Sequence, residues 1–274
     1  MHPLDYLFNM YRVCYLICFI ILLSGCASKF AQIQKSTDYE YKYKMADEYY
    51  SQKRYVYAQQ LYEELIPFLK GTSKYEDLFY KLAYSYYLQE DYVNAENLFK
   101  TFTETFPSSN RNEECEYMRA FVYFKQSPKI DLDQANTSKA IGLLQAFVST
   151  HPTSKRVKDA NDLIDRCREK LELKELSAAE LYYNLGYFKA AAISFSTLLE
   201  NYPDSKHGDD YKLYIIKADY QYALLSYEYK QKERFEKVLS EYSEFKERYP
   251  DSKLLNNATD YKNLANNFLK NNTK

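Results

Sequence analysis

Glycine, proline and histidine are scarce in this chain and tryptophan is absent: 274 residues hold 5 Gly, 7 Pro, 3 His and no Trp. So few glycines and prolines argue against a loop-rich, collagen-like or disordered chain. An excess of one charge is also missing, because 37 Lys and Arg oppose 38 Asp and Glu. Proteins that wrap nucleic acid usually present a basic face, so we expect no nucleic-acid partner.

Sequence motifs of enzymes and metal sites are missing as well. The HExxH, CxxC, EF-hand, GxSxG, P-loop and GxGxxG patterns do not occur. Beyond the N-terminal segment the only histidines are His151 and His207, and both lie at or beside expected helix turns. We expect His151 to be structural and His207 to be solvated. We therefore assign no catalytic residue, no metal ligand and no cofactor, and we expect a protein that is not an enzyme.

The long hydrophobic run is confined to the N-terminus. Residues 13–23 (VCYLICFIILL) are uncharged and follow Arg12. They are too few for a membrane span, which needs about 20 residues, but they suit a signal-peptide core. Leu23-Ser24-Gly25-Cys26 resembles the lipobox of bacterial lipoproteins. The resemblance implies a signal peptide over residues 1–25 and covalent diacylglycerol plus an N-acyl chain (palmitate or similar) on Cys26. An ordinary secretory signal with a chance cysteine is the alternative.

Residues 26–37 follow the expected cleavage site. Ala27 replaces the Asp that resembles an inner-membrane retention signal, and no acidic run follows Cys26. This implies lipid anchoring at the outer membrane, on its periplasmic face. The segment is polar and unpatterned, so we predict a lipidated tether with a reach of about 30 Å.

Two cysteines remain in the body of the chain, Cys115 and Cys167. We expect two separate buried thiols, since free cysteine is among the most buried residue types. A disulfide is the alternative, because an oxidising periplasm would permit one.

A four-residue motif recurs along the body, and its prolines are 45, 51 and 47 residues apart. It consists of an aromatic residue or His, then Pro, a small or acidic residue and Ser; the copies are Phe106-Pro107-Ser108-Ser109, His151-Pro152-Thr153-Ser154, Tyr202-Pro203-Asp204-Ser205 and Tyr249-Pro250-Asp251-Ser252. We expect the aromatic residue to close a helix, Pro to stop it, and Ser to cap the next helix.

The residues before each motif repeat with helical spacing. The clearest copy, residues 79–107, resembles a tetratricopeptide (TPR) repeat. Its small residues Ala83 and Ala95 fall where two helices cross, since larger side chains would separate them. Another copy carries an insertion within 125–136, and in the first copy the proline arrives early, at Pro67.

These patterns predict an all-α fold, a TPR-like superhelical solenoid of about five helix-turn-helix repeats plus a C-terminal capping helix over residues 253–270. Residues 155–184 hold no helix breaker and predict one long helix. We divide the body into an N-terminal TPR half (38–110) and a C-terminal TPR half (111–274).

Within the repeats the sequence also resembles the BamD family, the TPR lipoproteins of the outer-membrane β-barrel assembly machine. The resemblance rests on Glu116-Tyr117-Met118-Arg119-Ala120, the Asp-rich insertion, the run Arg166-Cys167-Arg168-Glu169-Lys170-Leu171 and Ala179-Glu180-Leu181-Tyr182-Tyr183. It covers roughly residues 23–250. It implies that the C-terminal half binds a BamA-like barrel-forming subunit and that the N-terminal repeats receive unfolded outer-membrane β-barrel proteins.

A TPR array forms a groove that binds a peptide without chemistry. The peptide-groove candidates are tyrosines on the first helices of the repeats, away from the core stripe: Tyr43, Tyr50, Tyr80, Tyr84 and Tyr87. The alternatives to BamD are another periplasmic TPR lipoprotein that binds protein partners and, more weakly supported, a SusD-type nutrient-binding lipoprotein.

Overall fold

The computed structural model describes residues 29–271, and this part of the chain forms twelve α-helices and no β-strand. The first helix, α1, covers residues 29–35. The others are α2 (Tyr39–Ser51), α3 (Tyr55–Leu69), α4 (Tyr75–Leu88), α5 (Tyr92–Thr105), α6 (Asn112–Lys125), α7 (Ala135–Thr150), α8 (Val157–Asn184), α9 (Phe188–Asn201), α10 (Gly208–Leu224), α11 (Glu228–Arg248) and α12 (Leu255–Asn271).

The second repeat shows why these sequences are helical. Asp91 caps α5, because its side chain accepts a hydrogen bond from the Asn94 backbone N–H at 3.2 Å. Ala95, Phe99 and Phe102 then recur on one side of the helix and are fully buried. Ala83 on α4 is also fully buried. Ala83 and Ala95 thus belong to one buried cluster between packed helices, as expected for small residues at a helix crossing.

Successive helices pack on each other from α2 to α7 and again from α9 to α12. The prediction of an all-α chain of helix-turn-helix repeats is confirmed. The predicted long helix is α8, and the predicted final helix is α12, which buries Ala258 and Ala265 against α10 and α11.

The chain divides into two compact units. The first runs to Ser127 and includes Ala135–Ile164; the second contains Pro128–Gln134 and everything from Asp165 onward. This division differs from the predicted boundary at 110/111, because one buried cluster of the first unit holds residues on both sides of it, from Phe79 to Ile164. A boundary after residue 110 would cut through that core.

The insertion between α6 and α7 belongs to the second unit because α8 holds it there. The Lys170 ammonium donates to the backbone oxygen of Pro128 at 3.0 Å, and the Lys174 ammonium donates to that of Leu132 at 2.6 Å.

The first repeat differs from the expected tether at residues 29–35. Residues 29–35 of the predicted tether are helical, and Phe30 and Ile33 are buried against α2 and α3. Pro67 does not end its helix, because α3 continues to Leu69. A proline near a helix end removes only one backbone hydrogen bond, and burial of Leu65 and Leu69 offsets that loss.

In each helix pair, the recurring motif after the second helix is hydrogen-bonded to the first helix. Every motif serine donates its hydroxyl to a carboxylate on the first helix of the same pair: Ser109 to Glu76 (2.7 Å), Ser154 to Glu113 (2.5 Å), Ser205 to Glu172, and Ser252 to Asp209 (2.6 Å). The serine oxygen also accepts the backbone N–H two residues later. The expected helix cap is wrong, since α6 begins beyond Arg111, which has no side-chain cap bond. The serine fixes the turn before the helix.

Candidate functional site

The five predicted groove tyrosines lie on α2 and α4, the first helices of the first two repeats; we call Tyr43, Tyr50, Tyr80, Tyr84 and Tyr87 the tyrosine face. Tyr43 is buried and the other four are half-buried. Along α4 the rings touch in sequence, with centroids 4.8 Å apart for Tyr80 and Tyr84 and 6.2 Å apart for Tyr84 and Tyr87. The structure therefore brings the predicted residues together within the first unit.

One carboxylate joins α2 to α4 at the first end of the tyrosine face. Asp77 accepts a hydrogen bond from the Tyr43 hydroxyl at 2.8 Å and pairs with the Lys81 ammonium at 2.6 Å and the Arg111 guanidinium at 2.9 Å. Burial raises the pKa of Asp77, but the bonds from Lys81, Tyr43 and Arg111 outweigh burial and hold that pKa below its usual value. Asp47 shares Lys81 at 2.9 Å. This end is a satisfied ionic network.

A second carboxylate, Glu114 on α6, holds the middle of the tyrosine face. It accepts the Tyr84 hydroxyl at 2.7 Å and the Tyr80 hydroxyl at 3.1 Å, and it pairs with Arg156 at 3.1 Å. Burial and the bond to Glu114 raise the pKa of Tyr84 far above its usual value. Both phenols are therefore neutral donors at any physiological pH.

The structure separates the five tyrosines into two classes. The hydroxyls of Tyr43, Tyr80 and Tyr84 are bonded to carboxylates, so these side chains hold the repeats together. The hydroxyls of Tyr50 and Tyr87 form no hydrogen bond with any residue in the described range 29–271. Burial raises the pKa of Tyr50 to about 12, so its phenol also stays neutral. Tyr50 and Tyr87 have a ring and a donor available to a bound peptide.

Two arginines that the sequence patterns did not single out belong to the same surface. The Arg111 guanidinium lies 4.5 Å from the ring centre of Tyr80, and the Arg156 guanidinium lies 5.3 Å from that of Tyr117. Both are within range for a cation–π interaction. Both also stand two residues after a motif serine. That shared position, Ser-x-Arg, is the signal that could have identified them.

The arrangement offers surfaces for binding, and we find no constellation for catalysis in the described range. Residues 29–271 contain no cluster of three or more His, Cys, Asp or Glu suited to a metal ion. His151 is structural as predicted, with its Nε2 2.7 Å from Glu116 and its ring 5.1 Å from that of Phe147. His207 is solvent-accessible beside Asp210, with its Nδ1 3.9 Å from the carboxylate.

Both body cysteines are free and buried. Burial raises the pKa of the Cys115 thiol to about 12, and burial also raises that of Cys167. Buried thiols whose pKa is raised are poor nucleophiles, so neither contributes reactivity to a site.

The second unit exposes apolar side chains at two turns between paired helices. Leu185 and Tyr187 lie in the α8–α9 turn, and Leu225, Tyr227 and Tyr229 lie in or beside the α10–α11 turn. Tyr227 and Tyr229 are 78% and 77% exposed, and their rings stack with centroids 5.9 Å apart. We call these five residues the turn surface. Clustered exposed aromatic and aliphatic side chains are typical of protein-interaction surfaces.

The predicted signal peptide and Cys26 lie outside the described residues. Among the helices of residues 29–271, none combines the length and the apolar character that a bilayer crossing needs.

The chain is similar to several solved structures that contain TPR repeats. No curated protein matches it significantly. Similar solved structures include the TPR2AB domain of yeast Sti1 in its pHSP90 complex (TM-score 0.41, 12% identity, 85% of this chain and 84% of that one). They also include the TPR domain of P58(IPK) (TM-score 0.41, 12% identity, 89% and 69%) and a TPR protein of Thermus thermophilus (TM-score 0.32, 15% identity, 81% and 98%).

The family model YfiO, described as outer membrane lipoprotein, matches residues 35–224, which is well over half of the chain. The match spans helices α2 to α10, which include both arginine positions and the whole of the long helix α8. The chain belongs to the YfiO (BamD) family of outer membrane lipoproteins.

Proposed function

We propose that this protein is a lipid-anchored scaffold subunit of the outer-membrane β-barrel assembly complex, on the periplasmic face of the membrane. It binds a BamA-like barrel-forming subunit and unfolded outer-membrane β-barrel proteins, and it catalyses no reaction. Family membership supports the membrane role. The observation that carries the substrate role is the tyrosine face, where Tyr50 and Tyr87 offer half-buried rings and uncommitted hydroxyls.

The tyrosine face suits an extended peptide with aromatic side chains. Tyrosines give large contact areas at low cost in conformational entropy. Arg111, already held over Tyr80 and paired with Asp77, is a positioned cation beside the rings. The aromatic end of an unfolded barrel strand would stack on Tyr50 and Tyr87, while Tyr43, Tyr80 and Tyr84 keep the helices in register.

Site-specific photo-crosslinking tests the substrate role. A photoreactive phenylalanine analogue at position 50 or 87 is expected to cross-link to unfolded barrel proteins during their assembly. The matched control is Val93 on α5, which is 64% exposed but lies on a second helix of its repeat. Equal cross-linking at position 93 would contradict the assignment of the tyrosine face.

The turn surface is the proposed contact with the barrel-forming subunit. Replacing Leu225 and Tyr227 with Ser is expected to reduce co-purification of that subunit at least about five-fold, because central exposed apolar residues dominate interface energies. Leu264→Ser is the control, since Leu264 is also exposed but lies on α12. An unchanged complex would exclude the turn surface from the contact.

Fractionation and depletion test the anchor and the assembly role. Cys26→Ala removes the acceptor of the diacylglycerol and N-acyl chains, so the protein should leave the membrane fraction. Depletion should lower the amount of folded outer-membrane barrels, and normal barrel levels would count against the assembly role. A native complex without any barrel-forming subunit would instead favour a different periplasmic TPR lipoprotein.

A further inference from the structure

The N-terminal helix α1 is packed on the first repeat by two apolar side chains. Phe30 and Ile33 are 8% and 1% exposed and belong to the core formed by α2 and α3. The Phe30 ring lies 4.6 Å from the Tyr57 ring and 5.9 Å from the Tyr49 ring, measured between centroids. Tyr49 is near the end of α2 and Tyr57 near the start of α3, so Phe30 lies beside the α2–α3 turn.

Polar contacts set the direction of α1 along the helix pair. The Gln34 backbone oxygen accepts the Lys42 ammonium at 2.8 Å, and the Gln34 side chain donates to Glu64 at 2.8 Å. Lys42 lies in the first turn of α2 and Glu64 in the second half of α3. Helix α1 therefore begins beside the α2–α3 turn and runs along α2 and α3 toward their other end.

This placement shortens the link to the predicted lipid anchor. From Cys26 to Lys29 there are three residue steps, which span at most about 11 Å when fully extended. The acyl chains on Cys26 lie in the bilayer, so its backbone lies at the headgroup level. Lys29, and with it the α2–α3 turn beside Phe30, must then lie close to the headgroups. A free tether of residues 26–37 would impose no such closeness.

The end of the unit that this geometry directs to the membrane carries three cationic side chains. Lys29 and Lys53 are exposed, and the Arg54 guanidinium is held 4.8 Å from the Tyr49 ring centre and 4.5 Å from the Tyr57 ring centre. We call Lys29, Lys53 and Arg54 the basic tip. Among α1, α2 and α3, one exposed carboxylate lies at the same end, that of Glu48, and the Glu90 and Asp91 carboxylates lie in the neighbouring α4–α5 turn.

We propose that the basic tip binds the phosphate groups of the lipid headgroups in the membrane that anchors Cys26, and so fixes the orientation of the first unit. The proposal rests on the lipid anchor in the proposed function. Covalent reach favours lipid as the occupant, because the chain itself holds the acylated Cys26 within about 11 Å of Lys29. Half-exposed Val56, two residues beyond Arg54, adds an apolar side chain at the same end.

Fluorescence quenching on the lipidated full-length protein in vesicles of phosphatidylethanolamine and phosphatidylglycerol tests the orientation. Cysteine replaces Gln52 in the α2–α3 turn or Thr72 in the α3–α4 turn and carries the fluorophore; buried Cys115 and Cys167 stay unlabelled. Headgroup-linked nitroxides are expected to quench position 52 several-fold more than position 72. If the protein binds the vesicles but positions 52 and 72 are quenched equally, the orientation alone is overturned. If the protein does not bind the vesicles, the lipid anchor is overturned as well.

Two variants test the docking of α1. Ile33→Asp should free α1 and make the quenching at the two positions equal. A flexible Gly and Ser segment of about ten residues, inserted between Ser28 and Lys29, should do the same without touching the core, which keeps the test valid if Ile33→Asp unfolds. A quenching difference that survives the insertion would overturn the short link.

Charge removal tests the phosphate contact on the non-lipidated Cys26→Ser protein. Each cation near an anionic surface contributes about five-fold to binding, so the Lys29→Gln, Lys53→Gln, Arg54→Gln triple variant should lose about a hundred-fold in affinity for phosphatidylglycerol vesicles. Lys35→Gln, Lys70→Gln and Lys100→Gln remove the same charge at exposed sites elsewhere in the unit. Equal losses for the two triple variants would overturn a localised basic tip.

Discussion

Removing the Tyr84 hydroxyl should show how much its hydrogen bond between two repeats contributes to the free energy of unfolding. Tyr84→Phe keeps the ring, including its edge contact with Phe99 at 5.3 Å between centroids. It deletes the 2.7 Å bond to Glu114, which is left with Tyr80 and Arg156. A hydrogen bond to a charged group contributes about 1.5–3 kcal/mol. Since Tyr84 is half-buried, we expect a loss of about 1.5–2 kcal/mol in the free energy of unfolding.

Tyr87→Phe is the matched control on the same helix. It also removes a half-buried phenol hydroxyl, but that hydroxyl makes no hydrogen bond within the described residues. We expect a change below about 0.5 kcal/mol, as for substitutions that break no specific interaction.

Urea unfolding of the mature chain, followed by far-ultraviolet circular dichroism, measures the difference. With an unchanged slope of about 3 kcal/mol per molar urea, Tyr84→Phe should lower the midpoint by roughly 0.5 M. In a thermal scan the same change corresponds to about 3–8 °C. Identical midpoints for the two variants would refute the division of the tyrosine face into structural and available hydroxyls. A Tyr84→Phe, Glu114→Gln double-mutant cycle with zero coupling would refute it independently.

Three further sets of substitutions test the pH dependence, the turns and a buried ion pair. Because the pKa of Asp77 is lowered in the folded state, ionised Asp77 stabilises the fold above the unfolded-state pKa of about 4, and this stabilisation is lost as pH falls through the folded-state pKa. Asp77→Asn should therefore lower the urea midpoint more at about pH 7 than at about pH 3. Equal effects at the two pH values would contradict this. Lys53 and Glu90 have left-handed φ angles of 59° and 63°, so Lys53→Gly and Glu90→Gly should each raise stability by about 0.5–1 kcal/mol in thermal scans, and a fall in both would be the opposite result. Lys212 pairs with Glu241 inside the second unit, so Lys212→Met should cost about 2–3 kcal/mol in urea unfolding, and added Glu241→Gln should restore part of the loss.

Much of the fold follows from information that is local in the sequence. Helical spacing of Ala83, Ala95 and Phe99, and a stop signal every 45 to 51 residues, suffice for an all-α chain of repeated helix pairs. Amphipathic periodicity and backbone breakers act over one or two turns, so they can be identified without knowing the partners of each helix. The same order of motifs is the basis of the resemblance to the BamD family.

The candidate site was predictable only in outline. Helical spacing placed Tyr43, Tyr50, Tyr80, Tyr84 and Tyr87 on one side of α2 and α4. Which hydroxyls are available depends on carboxylates such as Glu114, which is 30 residues from Tyr84 in the chain. A hydrogen bond over that separation has no local trace in the sequence.

The sequence by itself determined the repeated helices, their order and the expected anchor at Cys26. Only the tertiary structure decided that α1 packs on the first repeat. Residues 29–35 are mostly polar, and they pack as a helix because α2 and α3 bury Phe30 and Ile33. Only the tertiary structure also placed the boundary between the units inside α8. Backbone hydrogen bonds continue through that helix without interruption, whereas the division depends on which distant side chains pack on each part of it.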